Sequence, residues 1–175
     1  MPLDKDLLLR HLLASYSTYF DVDTAHVVPP FCALAQFHSR SEKYVLVQSA
    51  QLWAAESHEY LFFSDCGRLD FSFWQTARDS TVSQGLALIK PHKEHMVSYL
   101  TLIILADHVD PDVRREITHC RFHRSFRLSL YGWCDLRVAA VDCSTGEIFT
   151  NRMGKEVREH LQKHLKQEAS NLKGE

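Results

Sequence analysis

The stretch that decides the fold is Met96-Val97-Ser98-Tyr99-Leu100-Thr101-Leu102-Ile103-Ile104-Leu105-Ala106, the longest nearly continuous apolar run in the chain. A run of this length, rich in branched residues, predicts a β-strand that is buried on both faces. It is too short to span a bilayer, and Ser98 and Thr101 interrupt it. We expect these two small hydroxyls to bond to local partners. The rest of the chain is then expected to cover this strand.

Composition and charge predict one globular domain over residues 1–175. The chain is 45% hydrophobic, which is enough for a sizeable core, and its net charge of -2 provides no overall attraction to nucleic acid or anionic membranes. Residues 1–6 have neither the pattern of a secretory signal nor that of a transit peptide. The five cysteines are odd in number and form no Cys-x-x-Cys pair, which is typical of reduced thiols. We therefore predict a cytoplasmic protein that is not bound to a membrane.

Apolar residues at helical spacing predict three main helices, over residues 5–20, 69–89 and 154–167. A shorter helix is predicted to begin at Asp110-Pro111-Asp112, because this triplet combines an N-cap carboxylate with a proline in the first turn. Residues 168–175 are predicted to be a frayed tail.

A period of two predicts strands over 31–37, 44–53 and 59–63. The polar segments between them, 38–43 and 55–58, are short, as in antiparallel hairpins. These features predict a three-stranded meander in the first third of the chain.

Residues 126–130 and 136–140 are predicted to form either two strands or one long bent strand with a glycine bulge at Gly132. A tight turn at 142–146 leads into a last strand at 147–150. The predicted fold class is α+β: a single domain with a largely antiparallel sheet of about six or seven strands, covered by three main helices.

Several segments resemble a known but uncharacterised family of bacterial proteins, described only as a domain of unknown function. The segments are Leu130-Tyr131-Gly132-Trp133-Cys134-Asp135-Leu136-Arg137, Ala140-Val141-Asp142, Asn151-Arg152-Met153-Gly154-Lys155-Glu156-Val157 and His38-Ser39-Arg40-Ser41-Glu42-Lys43-Tyr44. The resemblance extends over most of the chain. It implies a bacterial cytoplasmic single domain and carries no catalytic assignment.

The segment around Gly132 is the predicted ligand site, because bulges often direct side chains towards a site. An aspartate and an arginine there would bind a polar ligand beside a tryptophan wall, and two residues of the 38–43 segment are expected to face them. The alternative is a structural kink with the tryptophan in the core. The predicted ligand-binding residues are Trp133, Asp135, Arg137, Arg40 and Glu42.

A shared acid/base site between the 38–43 and 55–58 segments is predicted not to form. Loops that join successive strands of a meander lie at opposite ends of the sheet, so Arg40 would not meet Glu56 or His58. The simpler interpretation of these charged residues is that they form ion pairs at the surface.

No metal, cofactor or catalytic motif is predicted. Histidine pairs at 160/164, 119/123 and 92/95 have spacings that can ligate Zn²⁺, but a site needs three or four converging ligands. No serine-histidine-aspartate pattern, glycine-rich phosphate loop or dinucleotide-binding fingerprint occurs.

Residues 5–106 follow the element order of a nuclease core, but the Asp/Glu-x-Lys triplet that its chemistry needs is absent. The interleaved basic and aromatic residues of 121–127 could contact nucleic acid, although strand alternation explains them equally well. The leading hypothesis is a non-enzymatic domain that binds a ligand or protein, or self-associates. A small-molecule or metal-dependent hydrolase is the alternative, and a nucleic-acid-binding domain is third.

Overall fold

The computed structural model describes residues 2–44 and 51–171, with side chains over 2–40 and 55–167. The helices are α1 (Lys5–Tyr16), α2 (Phe71–Leu88), α3 (Pro111–His119) and α4 (Lys155–Asn171), the last preceded by a 3₁₀ turn (Arg152–Gly154). The strands are β1 (Asp21–Asp23), β2 (Ala33–Tyr44), β3 (Gln51–Leu69), β4 (His95–Val109), β5 (His123–Ser125), β6 (Trp133–Asp142) and β7 (Glu147–Thr150).

Within the described residues, seven strands form one mixed sheet in the order β1-β2-β3-β4-β6-β5, with β7 also paired to β6. The predicted α+β class is confirmed, but the prediction of a largely antiparallel sheet is wrong. The central strands β3, β4 and β6 are parallel. The physical reason is that α2 and α3 lie between them in the chain, and a helical crossover returns the next strand in the same direction.

The strand β4 is buried on both faces, as predicted. Its Leu100, Leu102 and Ile104 pack against α2 and α3, whereas Ile103 and Leu105 pack against α1 and α4. The sheet is therefore covered by two helices on each face, so that α3 adds a fourth helix to the three main ones predicted. Among the described residues, no helix combines the length and apolar content that crossing a bilayer requires.

The helix starts follow local chemistry. Asp4 caps α1 by accepting a hydrogen bond from the amide of Leu7, and α3 begins at the predicted Asp110-Pro111. The helix α1 ends at Tyr16 rather than 20, whereas α4 continues to Asn171, past the predicted end at 167.

The predicted three-stranded meander over 31–63 is wrong. The segments 38–43 and 55–58, interpreted as loops because they are polar, belong to the long antiparallel strands β2 and β3. Their alternation of polar side chains is compatible with strands whose faces are only partly covered. Most of the predicted strand at 44–53 lies outside the described residues.

The predicted strand at 126–130 is also wrong. Residues 126–131 form a turn in which Arg127, Leu128 and Ser129 all have positive φ, and Leu128 is 93% exposed. Gly132 ends this turn with φ of +75° and lies against the start of β4. The strand predicted at 136–140 is confirmed as the core of β6, and the turn and strand over 142–150 are also confirmed.

We expect Gly132→Ala to destabilise the protein much more than Gly146→Ala. Both glycines have positive φ, which costs about 1–2 kcal/mol for alanine. A Cβ at Gly132 would also overlap the carbonyl oxygen of Met96, whereas at Gly146 the nearest atom is 3.9 Å away. Urea denaturation should give a loss of about 3 kcal/mol or more for Gly132→Ala. Equal losses for the two variants would contradict this packing.

We expect the buried Asp142 to make folding sensitive to acid. Burial alone would raise the pKa of this carboxyl, but hydrogen bonds from the Ser144 hydroxyl and from the amides of Val109 and Ser144 lower it overall. A lowered folded-state pKa contributes stability above the unfolded value of about 3.9, and this stability is lost as pH falls through the folded value. Asp142→Asn should therefore flatten the loss of unfolding free energy below about pH 4.

Chemical denaturation between pH 2 and 7 measures this effect, with Asp21→Asn as the control for removing an exposed carboxylate. An unchanged acid dependence in Asp142→Asn would contradict the assigned role.

Candidate functional site

Three opposed residue pairs of the β2–β3 hairpin form the base of the candidate site. The register sets Gln36 opposite Tyr60, His38 opposite His58, and Arg40 opposite Glu56. Because alternate residues of a strand share a face, all six lie on the face that carries α2. The 38–43 and 55–58 segments therefore meet, contrary to the sequence-based prediction. They are paired strands rather than loops at opposite ends of a meander.

His38 and His58 are hydrogen-bonded to each other. Their Nδ1 atoms are 2.7 Å apart, a separation that requires one nitrogen to donate and the other to accept. Burial lowers the pKa of His58. Nearby histidines lower it further, and Glu56 opposes them. The neutral form of His58 is therefore favoured at neutral pH.

Glu56 is held by two basic groups. Its Oε1 lies 2.5 Å from Nη1 of Arg40, and its Oε2 lies 2.9 Å from Nε2 of His92. Burial raises the pKa of Glu56, but these two hydrogen bonds outweigh it, so the net shift is downward. The same Arg40 nitrogen contacts Glu94 at 2.5 Å. Both carboxylates are thus matched by positive or hydrogen-donating groups within the protein.

His95 supports the cluster from β4. Its Nδ1 is 2.6 Å from the carbonyl oxygen of Tyr131, and because a carbonyl oxygen only accepts, Nδ1 carries the proton. In the neutral ring, Nε2 then accepts from the hydroxyl of Ser98, 2.8 Å away. The ring of His95 stacks on that of His58 with centroids 5.8 Å apart. Ser98 is fully buried, so this serine-histidine pair is inaccessible to a substrate.

An open cleft of about 520 Å³ adjoins these residues, within the ordinary size range of small-molecule sites. We call it the histidine cleft. Its polar wall comes from the hairpin and the segment after α2, and its apolar wall from the end of α2. It is lined by Gln36, His38, Glu56, His58, Tyr60, Ala87, Leu88, Lys90 and His92.

A larger groove of about 620 Å³ lies beside α2 and α3, with a largely apolar wall that includes Val82, Leu86 and Phe122. Its Arg78 is paired with the adjacent Asp79. The histidine cleft is the better candidate despite its smaller volume, because histidines from separate segments contact one another and Glu56 there.

The predicted ligand residues Trp133, Asp135 and Arg137 lie on β6, and a common site with Arg40 and Glu42 stays a prediction. The strand β2 is separated from β6 by β3 and β4, and Arg40 instead lies beside the histidine cleft. The side chain of Glu42 lies outside the described residues. Trp133 is half-buried at the start of β6.

Asp135 and Arg137 have separate partners. Asp135 contacts Nδ1 of His123 at 2.7 Å. The guanidinium of Arg137 is buried 3.5 Å over the ring of Tyr99, with Glu156 at 3.5 Å. Ligand binding by these two residues stays a prediction, and the contacts described above are with other parts of the fold.

The sequence-based prediction missed the convergence of His38, His58 and His92. The available signal was the alternation of polar residues through 38–43 and 55–58, which is also a strand pattern. The spacing of residues 92 and 95 did indicate a histidine pair, and the structure places the centroids of these two rings 6.5 Å apart. Among the described side chains, no group of three or more histidine, cysteine, aspartate or glutamate residues is arranged so that it could hold a metal ion.

Comparison with known proteins gives a family and no activity. A family model described as a domain of unknown function (DUF8052) matches residues 4–163. No curated protein and no solved structure matches the chain. The resemblance to an uncharacterised family is confirmed, and the bacterial origin stays a prediction. Because the match extends over most of its 175 residues, the chain belongs to the DUF8052 family.

Proposed function

We propose that this domain binds a small polar molecule in the histidine cleft and acts without chemistry of its own. The observation that carries the proposal is the convergence of His38, His58 and His92 on one open cleft. Paired backbone strands hold the first two in place, and Glu56 orients the third. Polar groups fixed beside an apolar wall are the usual arrangement of a small-molecule site.

The alternative of a nucleophilic hydrolase has less support. Ser98 has a histidine partner but no exposed surface. Burial raises the pKa of all five cysteine thiols, to about 11 for Cys134 and about 12 for Cys66, and a nucleophilic thiol needs the opposite shift.

We also propose a bacterial cytoplasmic protein with a single domain over residues 1–175. The five cysteines support this location because all of them are free, as in a reducing compartment.

Histidine ring NMR provides the test. The Cε1–H signals of the 11 histidines are followed while acetate, sulfate, choline and glucose are added separately. We expect at least one of these probes to shift the signals of His38, His58 and His92 in a saturable way. His58→Gln should weaken that binding at least tenfold, because it removes a ring from the cleft wall.

His119→Gln is the matched control, since His119 is exposed and lines the larger groove instead. The absence of a saturable shift in the cleft, or shifts centred on His119, would overturn the proposal.

A further inference from the structure

The charges around the histidine cleft are unevenly matched. Glu56 and Glu94 both contact Arg40, and Glu56 also contacts His92. Lys90 lines the cleft and forms no ion pair within the described part of the chain. The ammonium of Lys90 is therefore the one charge lining the cleft that no described residue pairs.

The His38–His58 pair can take up one proton without losing its contact. In the neutral pair, one ring donates a hydrogen bond through Nδ1, and the Nε2 atom of that ring carries no hydrogen. A proton from solvent added there makes the ring an imidazolium, which still donates to the other Nδ1. A second proton would put hydrogens on both facing nitrogens and break the 2.7 Å contact.

We infer that the histidine cleft binds a small organic oxyanion, a carboxylate or a phosphate, and that binding takes up one proton at the His38–His58 pair. The bound anion then lies between Lys90 and an imidazolium. The ring of Tyr60 and the side chains of Ala87 and Leu88 provide the apolar wall for its organic part. This inference rests on the proposed function and adds the class of ligand.

Groups from every side of the cleft affect how readily the pair takes up this proton. Glu56 favours it, whereas burial and the rings of His92 and His95 oppose it. A bound anion adds its negative charge to that of Glu56 and so favours the proton. The charged, titratable and hydrogen-bonding groups facing the pair are Gln36 and Arg40 from β2, Glu56 and Tyr60 from β3, Lys90, His92 and Glu94 from the segment after α2, and His95 from β4.

A cationic ligand is less favoured by the same contacts. It would compete with Arg40 for both carboxylates and would lie beside the unmatched Lys90. The last carbonyl of α2, at Leu88, attracts cations, but it already lies 3.5 Å from the hydroxyl of Tyr60.

Isothermal titration calorimetry of the full chain tests the inference. Benzoate is the carboxylate probe, and sulfate stands in for phosphate because it keeps its charge between pH 6 and 9; choline and glucose are the cationic and neutral probes. Each titration is repeated in two buffers with different ionisation enthalpies, which gives the number of protons taken up. We expect an anion to bind with uptake approaching one proton at pH 8, and its affinity to fall about tenfold per pH unit above the pKa of the pair.

Three variants separate the roles. The double variant His38→Gln with His58→Gln should abolish proton uptake, because neither ring of the pair is then left to accept the proton. Lys90→Gln should weaken anion binding about tenfold and leave the proton number unchanged. His119→Gln should change neither quantity. If this double variant does not fold, the comparison of buffers on the unmodified protein decides the question.

The outcomes are distinct. Anion binding in the cleft without proton uptake overturns this inference and leaves the proposed function intact, as does a preference for choline or glucose. Binding of none of the probes in the cleft overturns both. A preference for benzoate over sulfate assigns the carboxylate, and the reverse assigns the phosphate-like oxyanion.

Discussion

The burial of β4 on both faces is the constraint on which the rest of the structure depends. The chain moves from β3 to β4 to β6 in one direction across the sheet, and both crossovers contain helices. Right-handed crossovers that advance in one direction place their helices on the same face, so α2 and α3 lie together. The opposite face of β4 is then covered by the helices outside this unit, α1 and α4. The apolar run at 96–106 thus determines where every helix of the described chain packs.

The position of the site follows from where this helical cover ends. The helix α2 stops at Leu88, beside Tyr60, while the hairpin of β2 and β3 continues to Tyr44 and Gln51. Beyond the helix end, the sheet face that is apolar at Phe62 becomes polar at His58 and Glu56. The cleft is therefore the place where a core face changes into an exposed face. Its histidines are held by backbone register, which positions side chains more tightly than a loop does.

The parts of the fold that were predictable from sequence depend on local chemistry. Asp110-Pro111 begins a helix wherever it occurs at such a boundary, and a run of branched apolar residues favours a buried strand. The wrong predictions concern segments whose structure depends on distant neighbours. Polar residues at 38–43 are compatible with a loop or a half-covered strand, and only the pairing with β3 decides between them. Leu128 and Leu130 alternate like strand residues, yet both are exposed on a turn.

The candidate site was less predictable than the fold, because its residues come from three separate segments. Histidine spacing indicated 92/95 as a pair, but nothing local connects His92 with Glu56, 36 positions earlier. The site around Gly132 was predicted from a bulge, whereas the glycine is needed because its backbone lies against Met96. A glycine required for close approach of two chains produces the same sequence signal as one at a functional bulge.

The four clustered histidines have different capacities, and the hydrogen-bond inventory separates them. Both nitrogens of His95 are occupied inside the protein, by the carbonyl of Tyr131 and the hydroxyl of Ser98. Nδ1 of His92 accepts from the amide of Glu94, and Nε2 of His92 faces Glu56. These two rings therefore have fixed partners and serve to hold the turn at Tyr131 and the carboxylate of Glu56 in place. In contrast, His38 and His58 each use one nitrogen to contact the other ring. This contact is compatible with either a neutral or a singly charged pair. Of the four rings, this pair can change its number of protons while it keeps its geometry. A change of charge in the cleft would therefore first alter the protonation of this pair.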